Sequence, residues 1–167
     1  MSIVYRGRVF SVSVETLRLP NGTEHQIDVV RHPPSVLLVP MPDPEHVILI
    51  RQYRHPAGMP LWELPAGSLD QGETAEAGAR RECEEEISLV PARLERLGSW
   101  YPSPGFCDEE MVFFRATGLA APAPDSPHRP DEDEVIEARV FTIVEAKAML
   151  ARGDIVDLKT AFGLTMI

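Results

Sequence analysis

Cysteine is scarce in this chain of 167 residues, which contains only Cys83 and Cys107. Two cysteines cannot form a disulfide framework, so the sequence predicts a reducing compartment, the cytoplasm. The N-terminal segment lacks the continuous apolar stretch of a signal peptide, and no hydrophobic run is long enough to span a bilayer. We therefore expect a cytoplasmic protein without membrane association.

Basic residues are also fewer than acidic residues. Lysine and arginine number 16 against 26 aspartates and glutamates, which gives a formal net charge of -10. A surface with this excess of negative charge repels nucleic-acid backbones and anionic membranes, so neither is an expected partner. An anionic small molecule remains a possible ligand, because a bound metal ion can reverse the local field.

The chain length suits one domain with a sizeable core, preceded by a small β element in residues 1–34. Apolar and polar residues alternate from Val9 to Leu19, a turn follows at residues 20–22, and a second run ends at Val30. This pattern predicts a β-hairpin. A two-stranded hairpin is marginally stable alone, so its apolar face must pack on something else.

Residues 35–167 carry the patterns of a larger α/β domain. Residues 35–41 and 46–54 are apolar on both faces, as expected of strands inside a covered sheet. Residues 94–103, 109–119 and 134–143 predict three further strands, and residues 144–152 and 158–167 predict helices. Residues 120–134 are rich in proline and acidic residues, which predicts a long loop.

An unusually acidic segment lies between these elements. Alanines and glutamates favour a helix over residues 74–86, on which Glu82, Glu85 and Glu86 share one face. Like charges at this spacing destabilise a helix, and a divalent cation would remove the repulsion. Carboxylate ligands suit Mg²⁺ or Mn²⁺, which commonly join protein carboxylates to phosphates. The alternative is an acidic helix face that is simply solvated.

The residues around this helix resemble the Nudix box, G-x5-E-x7-R-E-U-x-E-E-x-G-U, in which U is a bulky apolar residue. The matching residues are Gly67, Glu73, Arg81, Glu82, Cys83, Glu85, Glu86 and Leu89. Cys83 takes a position that is usually aliphatic, and Ser88 replaces the last glycine. The segments "LIRQYR", "WELPAG" and "SPGF" further resemble the ADP-ribose pyrophosphatase branch of the Nudix hydrolases.

The resemblance implies an α/β/α sandwich with a mixed β-sheet for residues 35–167. It also implies that the N-terminal element supports a homodimer. The implied reaction is Mg²⁺-dependent hydrolysis of ADP-ribose to AMP and ribose 5-phosphate, with Mn²⁺ able to substitute. One alternative is another nucleoside diphosphate sugar, such as GDP-mannose. A non-catalytic ADP-ribose sensor is a second, which the intact box glutamates oppose.

Site roles follow from the same resemblance. The expected metal ligands are Glu82, Glu85, Glu86 and the carbonyl of Ala66. Gly67, Glu73 and Arg81 serve the architecture of the box. The expected general base is Glu132 on the acidic loop, with Glu134 as the alternative and Glu85 as a further catalytic residue. The expected substrate-binding residues are Arg51, Arg54, Pro104 and Glu109.

Overall fold

The computed structural model describes residues 1–126, 128 and 135–167. Strands β1 (Ser2–Arg6), β2 (Ser11–Arg18) and β3 (Glu24–Arg31) form an antiparallel sheet in that order, here called the N-terminal sheet. The predicted hairpin corresponds to β2 and β3, which pair from Ser11 with Arg31 to Arg18 with Glu24. Strand β1 adds a third, exposed strand that the sequence pattern did not indicate.

A mixed sheet forms the centre of the larger domain. Strand β4 (Ser35–Met41) pairs in parallel with β9 (Met111–Ala120) and antiparallel with the short β7 (Ala66–Ser68). Strand β8 (Val90–Trp100) completes this sheet on the far side of β9. A second, antiparallel sheet has the order β10-β5-β6, with β5 at His46–Arg54, β6 at Met59–Glu63 and β10 at Glu137–Thr142.

The two faces of β4 bury two separate cores. Leu37 and Val39 belong to a core that includes residues of α2 (Ile143–Arg152) and α3 (Leu158–Leu164). Val36 and Leu38 belong to another that includes residues of α1 (Ala75–Ile87). Side chains alternate between the faces of a strand, so the doubly apolar pattern of β4 requires a helix on each face. The α/β sandwich with a mixed sheet is therefore confirmed.

Helix α1 carries the acidic segment and lies where the sequence predicts it. Thr74 caps its N-terminus by accepting a hydrogen bond from the backbone N–H of Ala77, at 3.2 Å. Cys83 is fully buried against the sheet, and this burial raises the pKa of its thiol to about 12. The helix ends at Ser88, which adopts the left-handed conformation with φ 54° and ψ 38°. A glycine occupies that conformation without the steric cost of a Cβ.

The N-terminal sheet is joined to the loop 101–110 by backbone hydrogen bonds. The Val30 N–H donates to the Phe106 carbonyl at 2.7 Å, and the Asp108 N–H donates to the Val30 carbonyl at 3.1 Å. The Arg31 side chain adds contacts to Glu15 at 2.6 Å and Asp108 at 2.8 Å. The position of the sheet and the shape of this loop are therefore coupled.

No helix in the described parts of the chain combines the length and apolar character that crossing a membrane requires.

Candidate active site

A cavity of about 1010 Å³ opens beside the end of the mixed sheet. Residues 66–68 of β7 and the acidic face of α1 form one wall, and the start of α3 contributes another. The loop 101–110 and the end of β5 also contribute side chains. A cavity of this size can accommodate a nucleotide-sized ligand.

Glu82 is held against Gly67 at the wall of this cavity. The carboxylate is mostly buried, and a Cβ added to Gly67 would lie 1.9 Å from Glu82 Oε1. Any side chain at position 67 would therefore displace the carboxylate. This close approach, and not a positive φ, is what distinguishes the glycine at this position.

The other predicted metal-binding residues lie next to Glu82. Glu86 Oε2 accepts a hydrogen bond from the backbone N–H of Ala66 at 2.8 Å, and the Glu86 side chain is buried. Glu85 lines the cavity, as do Ala66 and Glu82. The structure thus brings together the carboxylates and the carbonyl-bearing residue that the sequence analysis selected.

Arg81 connects these carboxylates to the loop before the helix. Its Nε and Nη2 donate to the two oxygens of Glu73 at 3.1 and 2.9 Å, and Nη2 also donates to the Ser68 carbonyl at 2.9 Å. Its Nη1 donates to Glu82 at 2.7 Å and to Glu85 at 2.8 Å. Hydrogen bonding to Glu73 raises the pKa of Arg81 well above its usual value. The same contact lowers the pKa of Glu73.

The donor set fits a hard divalent cation. The candidate ligands are carboxylate and carbonyl oxygens, which Mg²⁺ and Mn²⁺ prefer. Among the described residues no group of three or more histidine, cysteine, aspartate or glutamate side chains already forms a metal cage. Arg81 bridges Glu82 and Glu85 instead. The chemistry of the residues therefore supports a metal site, with no coordination geometry specified.

Of the four predicted substrate-binding residues, two line the cavity and two do not. Arg54 and Glu109 line the cavity, and Glu109 accepts a hydrogen bond from the Ser35 hydroxyl at 2.7 Å. Arg51 lies three positions before Arg54, which puts it on the other face of β5. Its guanidinium lies 5.9 Å from the centre of the Trp62 ring. Pro104 is exposed in the loop directly after the lining residues 101–103.

The two candidate bases, Glu132 and Glu134, lie outside the described residues. Described residues on both sides of that interval lie close to Glu85. His128 Nδ1 is 3.8 Å from Glu85 Oε1. Val135 lines a smaller cavity together with Glu85 and Glu86.

Sequence reasoning missed a charged cluster beside the cavity. Glu63 is buried at 1% side-chain exposure, and it pairs with Arg54 and with Lys159 at the start of α3. Arg54 and Lys159 line the cavity, as does Asp157. A glutamate inside the apolar run "LWELP" was the available signal, since a lone buried carboxylate requires a partner.

Aromatic side chains near the cavity form a second missed feature. The Trp100 ring packs edge to face on Phe113 and Phe162, with centroid distances of 5.0 and 4.9 Å. All three residues line the cavity, and Trp100 is 36% exposed. The cluster gives the pocket an apolar side, which suits the uncharged part of a ligand.

Comparison with known proteins agrees with this fold. The NUDIX domain family matches residues 31–160 of the chain. The protein therefore belongs to the Nudix family and is a Nudix hydrolase.

The similarity extends to particular members. The chain is 33% identical over 161 residues to an ADP-ribose pyrophosphatase of Bacillus subtilis (strain 168), covering 96% of this chain and 86% of that protein. It is 34% identical over 155 residues to an ADP-ribose pyrophosphatase of Mycobacterium tuberculosis (strain ATCC 25618 / H37Rv), covering 92% and 74%. A crystal structure of an ADP compounds hydrolase superposes with a TM-score of 0.80 at 23% identity, covering 98% of this chain and 87% of that one. This last likeness concerns the fold alone.

Proposed function

We propose that this Nudix hydrolase cleaves the diphosphate of ADP-ribose, with Mg²⁺, to give AMP and ribose 5-phosphate. The observation that carries the proposal is the clustering of Glu82 and Glu85 with Ala66 and Gly67 in the wall of a large cavity, with Glu86 accepting a hydrogen bond from the Ala66 N–H. The similarity to two ADP-ribose pyrophosphatases over most of the chain supports the choice of substrate.

The residues that would hold the metal are Glu82, Glu85, Glu86 and the carbonyl of Ala66. When bound, a divalent ion supplies charge neutralisation for the diphosphate and lowers the pKa of a coordinated water. Mn²⁺ can substitute, because it accepts the same oxygen donors. The contact between Arg81 and Glu73 holds the loop before α1 against the helix. The candidate metal ligands therefore stay on one wall of the cavity.

Other side chains would orient the substrate and receive its proton. Arg54 is placed to donate hydrogen bonds to a phosphate, and Glu109 can accept one from a ribose hydroxyl. Glu132 would take the proton of the attacking water, with Glu134 as the alternative. The proximity of His128 to Glu85 supports a base from this part of the chain.

The proposed unit of function is a homodimer formed through residues 1–34. Several apolar residues of this segment expose more than two fifths of their surface to solvent, namely Ile3, Val4, Tyr5, Val9, Phe10 and Leu17. Burying such a surface against a second copy would be favourable. Val9 also lines the cavity, which supports a contribution of the N-terminal segment to the substrate pocket.

The test is a panel of nucleoside diphosphate sugars that includes ADP-ribose and GDP-mannose, each with Mg²⁺ and with Mn²⁺. Hydrolysis is followed by phosphate release in the presence of a phosphatase, and products are separated by chromatography. We expect the highest kcat/KM for ADP-ribose, with AMP and ribose 5-phosphate as products. A higher kcat/KM for GDP-mannose would overturn the substrate choice. Tight binding of ADP-ribose without cleavage would indicate a sensor.

A further inference from the structure

Glu109 is a single residue between two anchored neighbours in the loop after β8. The Asp108 N–H donates to the Val30 carbonyl at 3.1 Å, and the Glu110 carbonyl accepts from the Ser35 N–H at 2.8 Å. Glu109 itself accepts a hydrogen bond from the Ser35 hydroxyl at 2.7 Å and lines the cavity. The direction of its carboxylate therefore depends on how firmly both neighbours are held.

The side chain of Asp108 is held through both of its oxygens. Arg31 Nη1 donates to Oδ2 at 2.8 Å, and the His32 N–H donates to Oδ1 at 2.9 Å. Burial alone would raise the pKa of Asp108, but these two hydrogen bonds keep it below its usual value. Asp108 is therefore ionised near neutral pH, and its contact with Arg31 is an ion pair.

Arg31 is itself fixed from the other side by strand β2. Its Nη2 donates to Glu15 Oε1 at 2.6 Å, and the Ser13 hydroxyl donates to the same oxygen at 2.6 Å. Ser13 is fully buried, so this bond anchors Glu15 to the interior. A guanidinium presents its donors in a rigid planar fork, so holding one side of the fork restricts the other. Arg31 therefore joins Glu15 and Asp108 at a set separation.

The ion pair matters more for position than for stability. The side chains of Arg31 and Asp108 are 41% and 38% exposed, and an ion pair in such a place contributes little to folding. It lies one residue before Glu109 on one segment. On the other segment His32 follows directly and lines the cavity, with its Nδ1 3.7 Å from Glu109 Oε1. Both segments that meet at the ion pair therefore continue into the cavity wall.

We propose that Arg31 is a positioning residue for Glu109, and that it acts through Asp108 to keep the Glu109 carboxylate turned toward the substrate. The inference rests on the proposed function in that Glu109 contacts a ribose hydroxyl there. It gives the N-terminal sheet a role that needs no second subunit. Glu15 on β2 and Arg31 on β3 set the position of Glu109 within one chain.

The first experiment measures how firmly the loop is held, without substrate or metal. Hydrogen exchange of the Asp108 N–H, which bonds to the Val30 carbonyl, is followed by NMR. The Leu38 N–H, which bonds to the Pro65 carbonyl, is the reference for global unfolding. Arg31→Met should raise exchange at Asp108 relative to Leu38 about 3- to 5-fold, the factor that corresponds to an exposed ion pair. An unchanged ratio would overturn the inference.

The second experiment measures hydrolysis of ADP-ribose with saturating Mg²⁺. Arg31→Met and Asp108→Asn should each raise KM about 3- to 5-fold. The kcat should stay within about two-fold, because a displaced Glu109 weakens the ground state and the transition state alike. Arg31→Lys should recover part of the loss, since an ammonium can bind Asp108 without spanning to Glu15 as the guanidinium does. An unchanged KM in Arg31→Met would overturn the inference and leave the proposed function intact.

A double-mutant cycle tests whether Arg31 acts through Glu109. In a Glu109→Gln background, Arg31→Met should cause no further loss of kcat/KM, because the carboxylate that Arg31 positions is gone. Additive losses would show that Arg31 affects the substrate by another route, which would overturn the inference. The mass from light scattering should be equal for the wild type and Arg31→Met. A change of mass would trace the effect to subunit association and would overturn it as well.

Two control variants separate this contact from charge and from stability. Arg93→Met removes the same charge from an exposed position of β8 and should leave KM unchanged. Gly153→Ala places a Cβ at a φ of 85°, where it meets no atom within 4 Å, and should lower Tm without raising KM. If Gly153→Ala raised KM as much as Arg31→Met, loss of stability would account for the effect and the inference would fail.

The two experiments also separate the inference from the proposed function. A wild type that does not hydrolyse ADP-ribose would overturn the proposed function. The exchange measurement would still decide whether Arg31 holds the loop, because it uses neither substrate nor metal.

Discussion

Gly67 and Glu82 approach so closely that a methyl group on Gly67 would overlap the glutamate carboxylate, at 1.9 Å from Oε1. The two residues stand on different elements, β7 and α1, and the contact fixes the distance between them. A side chain at position 67 would therefore require the Glu82 carboxylate to move.

Gly67→Ala is expected to displace the Glu82 carboxylate and to reduce kcat by about 100-fold, because a misplacement of about 1 Å can cost that much. The measurement is kcat for ADP-ribose during a Mg²⁺ titration, with circular dichroism to check the fold. Gly105→Ala is the matched control, since a Cβ there meets no atom within 4 Å. Full activity of Gly67→Ala would show that Glu82 can move without consequence.

Glu82→Gln and Glu86→Gln each remove a charge from the proposed metal site. Each should lower kcat by more than about 100-fold. Mutating a residue that only hydrogen-bonds to a metal ligand already costs about 10- to 100-fold in metal affinity or activity. Glu76→Gln changes an exposed glutamate of the same helix and should retain wild-type turnover. Near-normal turnover of both Glu82→Gln and Glu86→Gln at saturating Mg²⁺ would contradict the assignment.

Glu132→Gln tests the proposed base. We expect kcat to fall by about 10²- to 10⁴-fold, the usual contribution of a general base, with little change in metal affinity. Glu134→Gln is the paired variant, and both are assayed across a pH range. A loss in Glu134→Gln alone would transfer the role to that residue. No loss in either would mean that activation of water needs neither glutamate.

Ser88→Gly should stabilise the protein without affecting catalysis. Ser88 has a φ of 54°, and a left-handed conformation costs a residue with a Cβ about 1–2 kcal/mol. We expect the free energy of unfolding to rise by about 1 kcal/mol and Tm by about 2–4 °C. Ser88→Ala retains the Cβ and should bring no such gain. Thermal unfolding followed by calorimetry decides between these outcomes, and kcat should match the wild type.

The proposed dimer can be tested by light scattering of the intact chain, which should give twice the mass of 18.6 kDa. Deleting residues 1–28 should give a monomer with weaker substrate binding. That deletion keeps Val30 and Arg31, so their contacts with the loop 101–110 are retained. A monomeric mass for the intact chain at micromolar concentration, together with full activity, would refute a pocket shared between subunits.

The elements that the sequence located well have strong local signals. Strands β4 and β5 are long apolar runs separated by a proline-containing turn, and α1 has an N-cap at Thr74 and a buried stripe. Strand β7 has only three residues, and it is a strand because it pairs with β4. No local sequence pattern reveals that pairing. Strand β6 is half exposed and follows a turn at Gly58, so its apolar signal is weak.

The clustering of the box glutamates on one face could be predicted from their spacing, whereas the pairing of residues from distant segments could not. Glu82, Glu85 and Glu86 share a helix, so their common face follows from the helical period. Glu63 and Lys159 are 96 residues apart, and their pairing depends on how α3 packs against the sheet. Strand alternation could have separated Arg51 from Arg54, because residues three apart on a strand face opposite sides.

The link between Val30 and the loop 101–110 consists of main-chain hydrogen bonds, which are indifferent to side-chain identity. Apart from Arg31, which also contacts Asp108, side chains of the N-terminal sheet can therefore change while the loop that carries Glu109 keeps its attachment. Substitutions on the exposed face of that sheet are expected to leave the cavity wall formed by β7 and α1 in place. The N-terminal sheet can accordingly vary on its exposed face while it continues to hold the loop in place.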